Sequence, residues 1–437
     1  MFDRYEEQKA SESHGDIIVW PLKVVTDYLE QTADYSILAT EIPYTSRKDN
    51  HKTKETASLF EHLKKEINYI EQHFLPETFL SCYGDGDWDD TLQPYDNRLK
   101  EQMASSWTVA LTYQVLKKFA ALITEIDATY SQHLTILVAG IKNDFQKYML
   151  ADETIPGFIY METPETFEQM IHPNDQKTGI QYRLLPMTRS MLAELLTPEQ
   201  VSHHLKIIEK ELTFPDGVRL MNKPANYRGG VSTNFKRAEQ AANFGREIGL
   251  QYVHAHIRYT EAMAKIGQRD KTWQALMQIN PVQLKEVVHN AELRQANAYF
   301  SSSDGDFKTR YESQENFGKL KDGSIGVKGG WRIYSSGPGI YLNQLITAVL
   351  GIRQKAQSVV FDPVLPEKLS GLALTYQLFD KPVTYKFYPN QSAKIVIDGQ
   401  EVPFKFEENP YREGGMEVQK DEVLSLLNEA SVIEIYH

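Results

Sequence analysis

The hydrophobic period of this chain changes once, near Gln357, and that change constrains the fold more than any other feature. Before it, apolar residues recur at helical spacing over residues 17–29, 56–73, 103–123, 133–149, 188–196, 198–212, 237–266 and 340–352. Pro21 falls near the start of the first run, where proline is tolerated, and Thr197-Pro198 with Glu199 in the first turn opens the sixth. After the change the period is two. Leu372-Ala-Leu-Thr-Tyr-Gln-Leu-Phe379, Val383-Thr-Tyr-Lys-Phe-Tyr388, Ala393-Lys-Ile-Val-Ile397 and Val432-Ile-Glu-Ile-Tyr436 read as strands, with a turn at Asp398-Gly399. The pattern predicts a mainly α protein: a large helical domain over residues 1–354, then a small antiparallel β-sandwich domain over 355–437. A length of 437 residues exceeds what one core usually serves, which agrees.

Between the helices lie long stretches without a period: residues 80–97, 151–179, 215–236 and 299–339, rich in Gly, Asp, Ser and Trp. Irregular stretches of that length in a compact domain usually carry function. Helices in series with such loops between them suggest an α/α barrel whose mouth the loops line.

Charge and cysteine content narrow the partners. The formal net charge is −12, spread along the chain, and no block of Lys/Arg is dense enough to track a phosphate backbone, so nucleic acid is excluded as a partner. Cys82 is the sole cysteine, which excludes an intrachain disulfide and a cysteine-based zinc site. Met1-Phe-Asp-Arg-Tyr-Glu-Glu7 lacks the order of a signal peptide, and no run approaches the ~18 apolar residues of a membrane span. A soluble, cytoplasmic protein with no membrane partner is predicted. The 24 Tyr and 5 Trp suit faces that stack on sugar rings, and they also build ordinary cores.

Three segments could carry chemistry. The densest is Tyr83-Gly-Asp-Gly-Asp-Trp-Asp-Asp-Thr-Leu-Gln93, where Asp85, Asp87, Asp89 and Asp90 surround Trp88. Close carboxylates raise one another's pKa, so one can keep a proton near neutral pH and act as general acid on a glycosidic oxygen. Trp88 offers a face to a pyranose. Calcium is the rival reading, although the sixth and twelfth loop positions are Asp90 and Asp96 where an EF-hand needs Gly and Glu.

The second segment is Arg246-Glu-Ile-Gly-Leu-Gln-Tyr-Val-His-Ala-His256. Read as part of the helix over 237–266, it puts Glu247, Gln251 and His254 on one face, where Arg246, Glu247 and His254 can hold an anion beside a carboxylate. A helix with a satisfied core histidine is the plainer alternative. The third segment is Gly329-Gly-Trp-Arg-Ile-Tyr-Ser-Ser-Gly-Pro-Gly339, running into a helix from Ile340. Small residues there leave N–H groups for an oxyanion, with Ser335, Ser336 and Arg332 adding donors and charge. A glycine-rich turn of this kind is structural in most proteins. Cys82 reads as a small buried residue.

Together these segments resemble glycoside hydrolase family 94, the inverting glycoside phosphorylases. Asp87-Trp-Asp-Asp90 is similar to that family's Asp-Trp-Asn-Asp, with Asp89 in place of Asn. Arg246-Glu-Ile-Gly-Leu-Gln-Tyr-Val-His254 is similar to its Arg-Glu-Asn-Gly-Gly-x-Tyr-x-His, and Tyr334-Ser-Ser-Gly-Pro-Gly339 to its Tyr/Phe-Thr-Gly-Ser-Ala-Gly turn. His14-Gly-Asp-Ile-Ile-Val-Trp-Pro21, Ser301-Ser-Ser-Asp-Gly-Asp306 and Gly330-Trp-Arg-Ile-Tyr-Ser-Ser-Gly337 look closest to the 1,2-β-oligoglucan phosphorylase branch.

The resemblance implies an (α/α)6 barrel and reversible phosphorolysis of β-glucosides to α-glucose 1-phosphate. It implies Asp90 as general acid, with Trp88, Asp87, Glu247, Gln251 and Trp331 at the sugar. His254, Arg246, Arg332, Ser335, Ser336 and Gly337 would surround phosphate. No cofactor and no metal are implied; inorganic phosphate is the co-substrate. Family members begin with a β-sandwich, a linker and the first barrel helices, and His14-Gly-Asp16 already looks mid-barrel. The barrel is therefore expected to be incomplete at its N-terminus, with a homodimer or a partner chain supplying the rest. An inverting hydrolase with Glu247 as base, and a carbohydrate-binding chain without complete catalytic machinery, are the other readings.

Overall fold

The structure is a computed structural model; it describes residues 15–437 except 47, 50, 240–248, 295–298 and 333–335, and of Asp90, Trp331, Arg332 and Ser336 it describes the backbone only. The chain divides into two compact units, Met1–Pro186 with Lys223–Asn243, and Met187–Asn222 with Phe244–His437.

In the first unit the helix Ser106–Leu122 is buried on nearly every side, through Trp107, Val109, Leu111, Val115, Leu116 and Phe119. A helix apolar all round must be covered all round, and Val19–Thr32 and Ala128–Asp144 pack on it. Asp127 caps the latter by accepting the Tyr130 N–H at 2.9 Å, and Ser58 caps Leu59–Gln72 by accepting the Glu61 N–H at 3.2 Å. Two expected helices begin later than their apolar spacing suggests. Lys52–Ser58 and Met103–Ser105 are strands, the second paired with Phe158–Thr163, because each segment finds an antiparallel neighbour before its helix starts.

In the second unit, Pro198–Ile207 opens with the reciprocal Thr197–Gln200 capping box that its Thr-Pro start suggests. The helix expected over residues 237–266 is shorter: Gln251–Tyr252 is a strand and the helix runs from Val253 to Lys265. Residues 151–179 and 299–339 are not irregular throughout. They contain the hairpin Phe158–Thr163/Thr166–Met170 and the antiparallel pair Phe300–Gly305/Val327–Arg332. Ser, Gly and Lys make Phe300–Gly305 and Val327–Arg332 polar, so pairing with neighbouring strands rather than an apolar alternation holds them.

The C-terminal part forms a four-stranded sheet and a five-stranded sheet that share one core, with Val359, Phe361 and Val418 from one and Val383, Tyr385, Phe387, Ile395, Ile433 and Ile435 from the other. Asp398 and Gly399 both take positive φ (48° and 86°), as the two-residue hairpin turn requires. The sheet departs from the expected all-antiparallel order in one place. Ser431–Tyr436 inserts between Lys381–Tyr388 and Lys394–Ile397, pairing parallel with the first and antiparallel with the second. Those two flanking strands run in opposite directions, so a strand between them cannot be antiparallel to both.

A charged cluster ties this β part to the helix before it. Arg412 bonds both Asp362 oxygens at 2.7 and 3.0 Å and donates to Ala264 O and Lys265 O at the C-terminus of Val253–Lys265, where carbonyls need donors. Arg353 adds a third bond to Asp362 at 3.1 Å. Burial pushes the Asp362 pKa up, but the hydrogen bonds and charges of Arg412 and Arg353 outweigh it and hold the group below its ordinary 3.8. Stabilisation from such a group is present above 3.8 and is lost as pH falls through the lower folded value. Asp362→Asn should cost about 2 kcal/mol at pH 7, less than a fully buried pair because both arginines are partly exposed. Urea unfolding checks this: the deficit should narrow as pH is taken below 3.8, and a deficit unchanged with pH contradicts it.

Candidate active site

The acidic loop of the first unit is built around a buried guanidinium. Arg183 Nη2 donates to Asp87 Oδ1 and Oδ2 at 3.3 and 3.0 Å and lies 3.6 Å from Asp89 Oδ2, with all three side chains fully buried. Ser105 Oγ donates to Asp87 at 3.1 Å, the Asp89 N–H donates to Asp87 Oδ1 at 3.0 Å, and Thr91 Oγ1 donates to Asp89 Oδ1 at 2.6 Å. The Arg183 guanidinium also lies over the Phe158 ring, 5.0 Å from its centroid. Burial and the neighbouring Asp87 push the Tyr83 phenol pKa well above its ordinary value. Asp85 faces Lys100 in an ion pair. The cation that Asp87 and Asp89 share is therefore a side chain of this protein, standing where the calcium reading would place its ion.

The chain bends tightly there. The Gly15 N–H donates to Gly86 O at 2.6 Å, and a Cβ on Gly15 would lie 2.3 Å from Tyr83 O. From this contact Asp16 and Trp20 extend to an aromatic row. Trp20 Nε1 donates to the buried Asp16 at 2.9 Å, and Trp107 lies 6.2 Å from both Trp20 and Trp88. Trp107 is buried, and its neighbours Trp88 and Trp20 are half-buried. Asp90 opens the short turn Asp90–Leu92 directly after Asp89. A strap, residues 233–239, lies along the loop: Ala238 N–H donates to Thr91 O and Lys236 N–H to Gln93 O. Glu239 holds it by accepting the backbone N–H groups of Thr233, Asn234 and Phe235. Cys82 is half-buried with its thiol pKa raised by burial.

In the second unit, one three-stranded sheet gathers segments that look unrelated in sequence. Its order is Val327–Arg332, Phe300–Gly305, Gln251–Tyr252. Gln251 sits opposite Ser303, Tyr252 and Gly330 opposite Ser302, and Arg332 opposite Phe300. Trp331 and Arg332 lie on the first strand, and Ser336 begins the helix Ser336–Gln344. Gly337 is buried in that helix's first turn, against the Tyr299 ring, where a Cβ would overlap the hydroxyl at 1.9 Å.

His254 is the second residue of Val253–Lys265, in the first turn of that helix. Burial lowers its pKa to about 4, and the Arg258 and Arg189 charges push the same way, so the ring is neutral at pH 7. The shared helix face of Glu247, Gln251 and His254 is not formed, because Gln251 belongs to the strand and is 1% exposed. Arg246, Glu247 and Ser335 lie outside the described residues, as do the side chains of Asp90, Trp331, Arg332 and Ser336.

Sequence reasoning missed Arg183, Glu239, Arg189 and the buried Arg219–Asp216 pair. One signal was present for Arg183. It stands within Ile180-Gln-Tyr-Arg-Leu-Leu185, and an arginine inside an apolar run calls for a carboxylate partner elsewhere. Arg183→Met leaves two carboxylates buried without their cation and should destabilise the protein by roughly 3–5 kcal/mol, read by urea unfolding at pH 7. A loss under about 1 kcal/mol, the worth of an exposed pair, contradicts the role given to Arg183.

Comparison with known proteins places the chain. Residues 3–308 match the catalytic domain of the glycosyl hydrolase 94 superfamily, and residues 351–436 match the glycoside phosphorylase C-terminal domain. A 1,2-beta-oligoglucan phosphorylase of Listeria innocua is 51% identical over 433 residues, 99% of this chain and 39% of that protein. A cyclic beta-(1,2)-glucan synthase of Rhizobium meliloti is 22% identical over 82% of this chain and 12% of its own length. A solabiose phosphorylase of Paenibacillus borealis is 24% identical over 48% of this chain and 26% of its own. The chain thus spans less than half the length of these relatives. With seven-tenths of its residues in the matched catalytic domain and the remaining match in the C-terminal domain that follows, the chain belongs to the glycosyl hydrolase 94 superfamily.

Proposed function

We propose that the chain carries the acid and phosphate sites of an inverting phosphorylase acting on β-1,2-linked oligoglucans. The observation that carries this reading is His254: a neutral imidazole at a helix start, with Arg189 and Arg258 as its charged neighbours. That environment suits an anionic nucleophile already charged in solution and does not suit a base that must take a proton from water. The 51% identity to a 1,2-beta-oligoglucan phosphorylase supports the linkage. The helical part would belong to an (α/α)6 barrel, with the barrel-to-β boundary near residue 354, and phosphate would be the co-substrate with no further cofactor.

In this reading Asp90 begins protonated and gives its proton to the interglycosidic oxygen as the anomeric C–O bond breaks. A phosphate oxygen attacks the opposite face of the oxocarbenium-like carbon, giving α-glucose 1-phosphate and a glucan shortened by one unit. Arg183 offsets one of the two charges of Asp87 and Asp89, so the pair gives the loop carrying Asp90 a fixed backbone with less negative charge beside it. His254 donates an N–H to phosphate, the arginines supply field, and Trp88 supplies a sugar face.

Asp90→Asn should lower kcat by about 100-fold or more while oligoglucan binding persists, as loss of a general acid does. His254→Gln should raise the KM for phosphate about tenfold with a smaller change in the KM for glucan. Steady-state kinetics in the phosphorolytic direction read both. Full activity in the Asp90 variant removes the acid assignment, and an unchanged phosphate KM in the His254 variant removes the phosphate assignment.

A further inference from the structure

Gln251 is 1% exposed, yet its side-chain oxygen meets no hydrogen-bond donor among the described residues. It borders a small chamber in the second unit, together with Asp216, Arg294, Ser303, Val253 and Phe300. Arg294 Nη2 donates to Ser303 Oγ at 3.2 Å, but its buried Nε–H has no acceptor among the described residues. The two residues that carry this buried acceptor and this buried donor therefore line one space. Groups of this kind are almost always satisfied by protein or by ordered water, because leaving one unmet is costly. The chamber is partly open to solvent, and its space for water, about 20 Å³, is enough for one molecule.

The surroundings connect this chamber to His254. Asp216 is held in place by both of its oxygens on Arg219 Nη2 at 3.2 and 3.0 Å, and Arg219 Nη1 donates to Gly249 O at 2.7 Å, two residues before Gln251. Tyr252 then caps the helix in an extended conformation (φ −93°, ψ 116°) with no side-chain cap. The strand-to-helix corner is consequently fixed by its flanks, and Gln251 and Val253 on either side of Tyr252 both border the chamber. His254 is the next residue.

We propose that the chamber is an internal water site, in which one ordered water accepts the Arg294 Nε–H and donates to Gln251, and that Gln251 acts through this water as a positioning residue for His254. The functional meaning of that positioning rests on the phosphate reading above; the water and the corner do not.

A crystal structure of the chain showing ordered solvent should place a water within hydrogen-bond distance of Gln251 and Arg294 Nε. A dry chamber, or one filled by a side chain, overturns the proposal. Histidine NMR titration of Gln251→Leu tests the positioning without turnover. The Arg189 and Arg258 charges that act on the His254 ring are retained in this variant, and Tyr252, 6.1 Å from the ring, keeps its side chain. Its pKa should rise from about 4 toward 6.5 as the corner loosens and water reaches the ring.

His256, on the same helix, is the internal control. Its ring is held by the Val218 N–H at 3.0 Å and Ala275 O at 2.8 Å, and its pKa should stay at about 4. An unmoved His254, or both histidines rising together, overturns the positioning role. Arg294→Met removes the donor from the other side of the water and should reproduce the selective rise if the leucine variant fails to fold.

Discussion

The buried Arg183 guanidinium is the constraint on which the acid loop depends. Two carboxylates side by side in an apolar interior need a partner cation, and Asp87 and Asp89 share one side chain for that purpose. The consequence reaches beyond charge. With Asp87 fixed by Arg183 and Ser105, and Asp89 by Thr91, the backbone enters Asp90 along a determined path. The Gly15–Gly86 contact and the Glu239-held strap clamp the same loop from two other directions. In the proposed mechanism the general acid must have its proton aimed, and fixed neighbours would do the aiming.

The second unit solves a different problem with a small sheet. Strands Gln251–Tyr252, Phe300–Gly305 and Val327–Arg332 bring three stretches separated by dozens of residues into register, and two helix starts follow from its outer strands. Helix starts favour anions through their dipole. His254 sits at one of them, with burial keeping it uncharged and arginines supplying the field. In the proposed reading this corner would take phosphate, with the neutral imidazole as donor and the nearby cations supplying charge.

Much of this was legible in the chain. The change of period near Gln357 marks the helical-to-β division, and the alternation in Lys381–Tyr388 and Ser431–Tyr436 is the burial pattern of those strands. The Asp-rich loop around Trp88 was legible because its residues are contiguous. Arg183 was not, because its partner lies 96 residues away and only the folded chain brings them together. The short polar strands at Ser301–Ser303 and Gly329–Gly330 were also invisible, since pairing rather than apolar alternation makes them strands. The parallel insertion of Ser431–Tyr436 follows from strand order, which period alone does not encode.

The proposed phosphorolysis is tested most directly by the product. In a proton NMR time course of the chain with a β-1,2-linked oligoglucan, added phosphate should yield α-glucose 1-phosphate as the first sugar released, and omission of phosphate should stop release. Free glucose appearing at the same rate without phosphate, or a β-configured sugar phosphate, would contradict it.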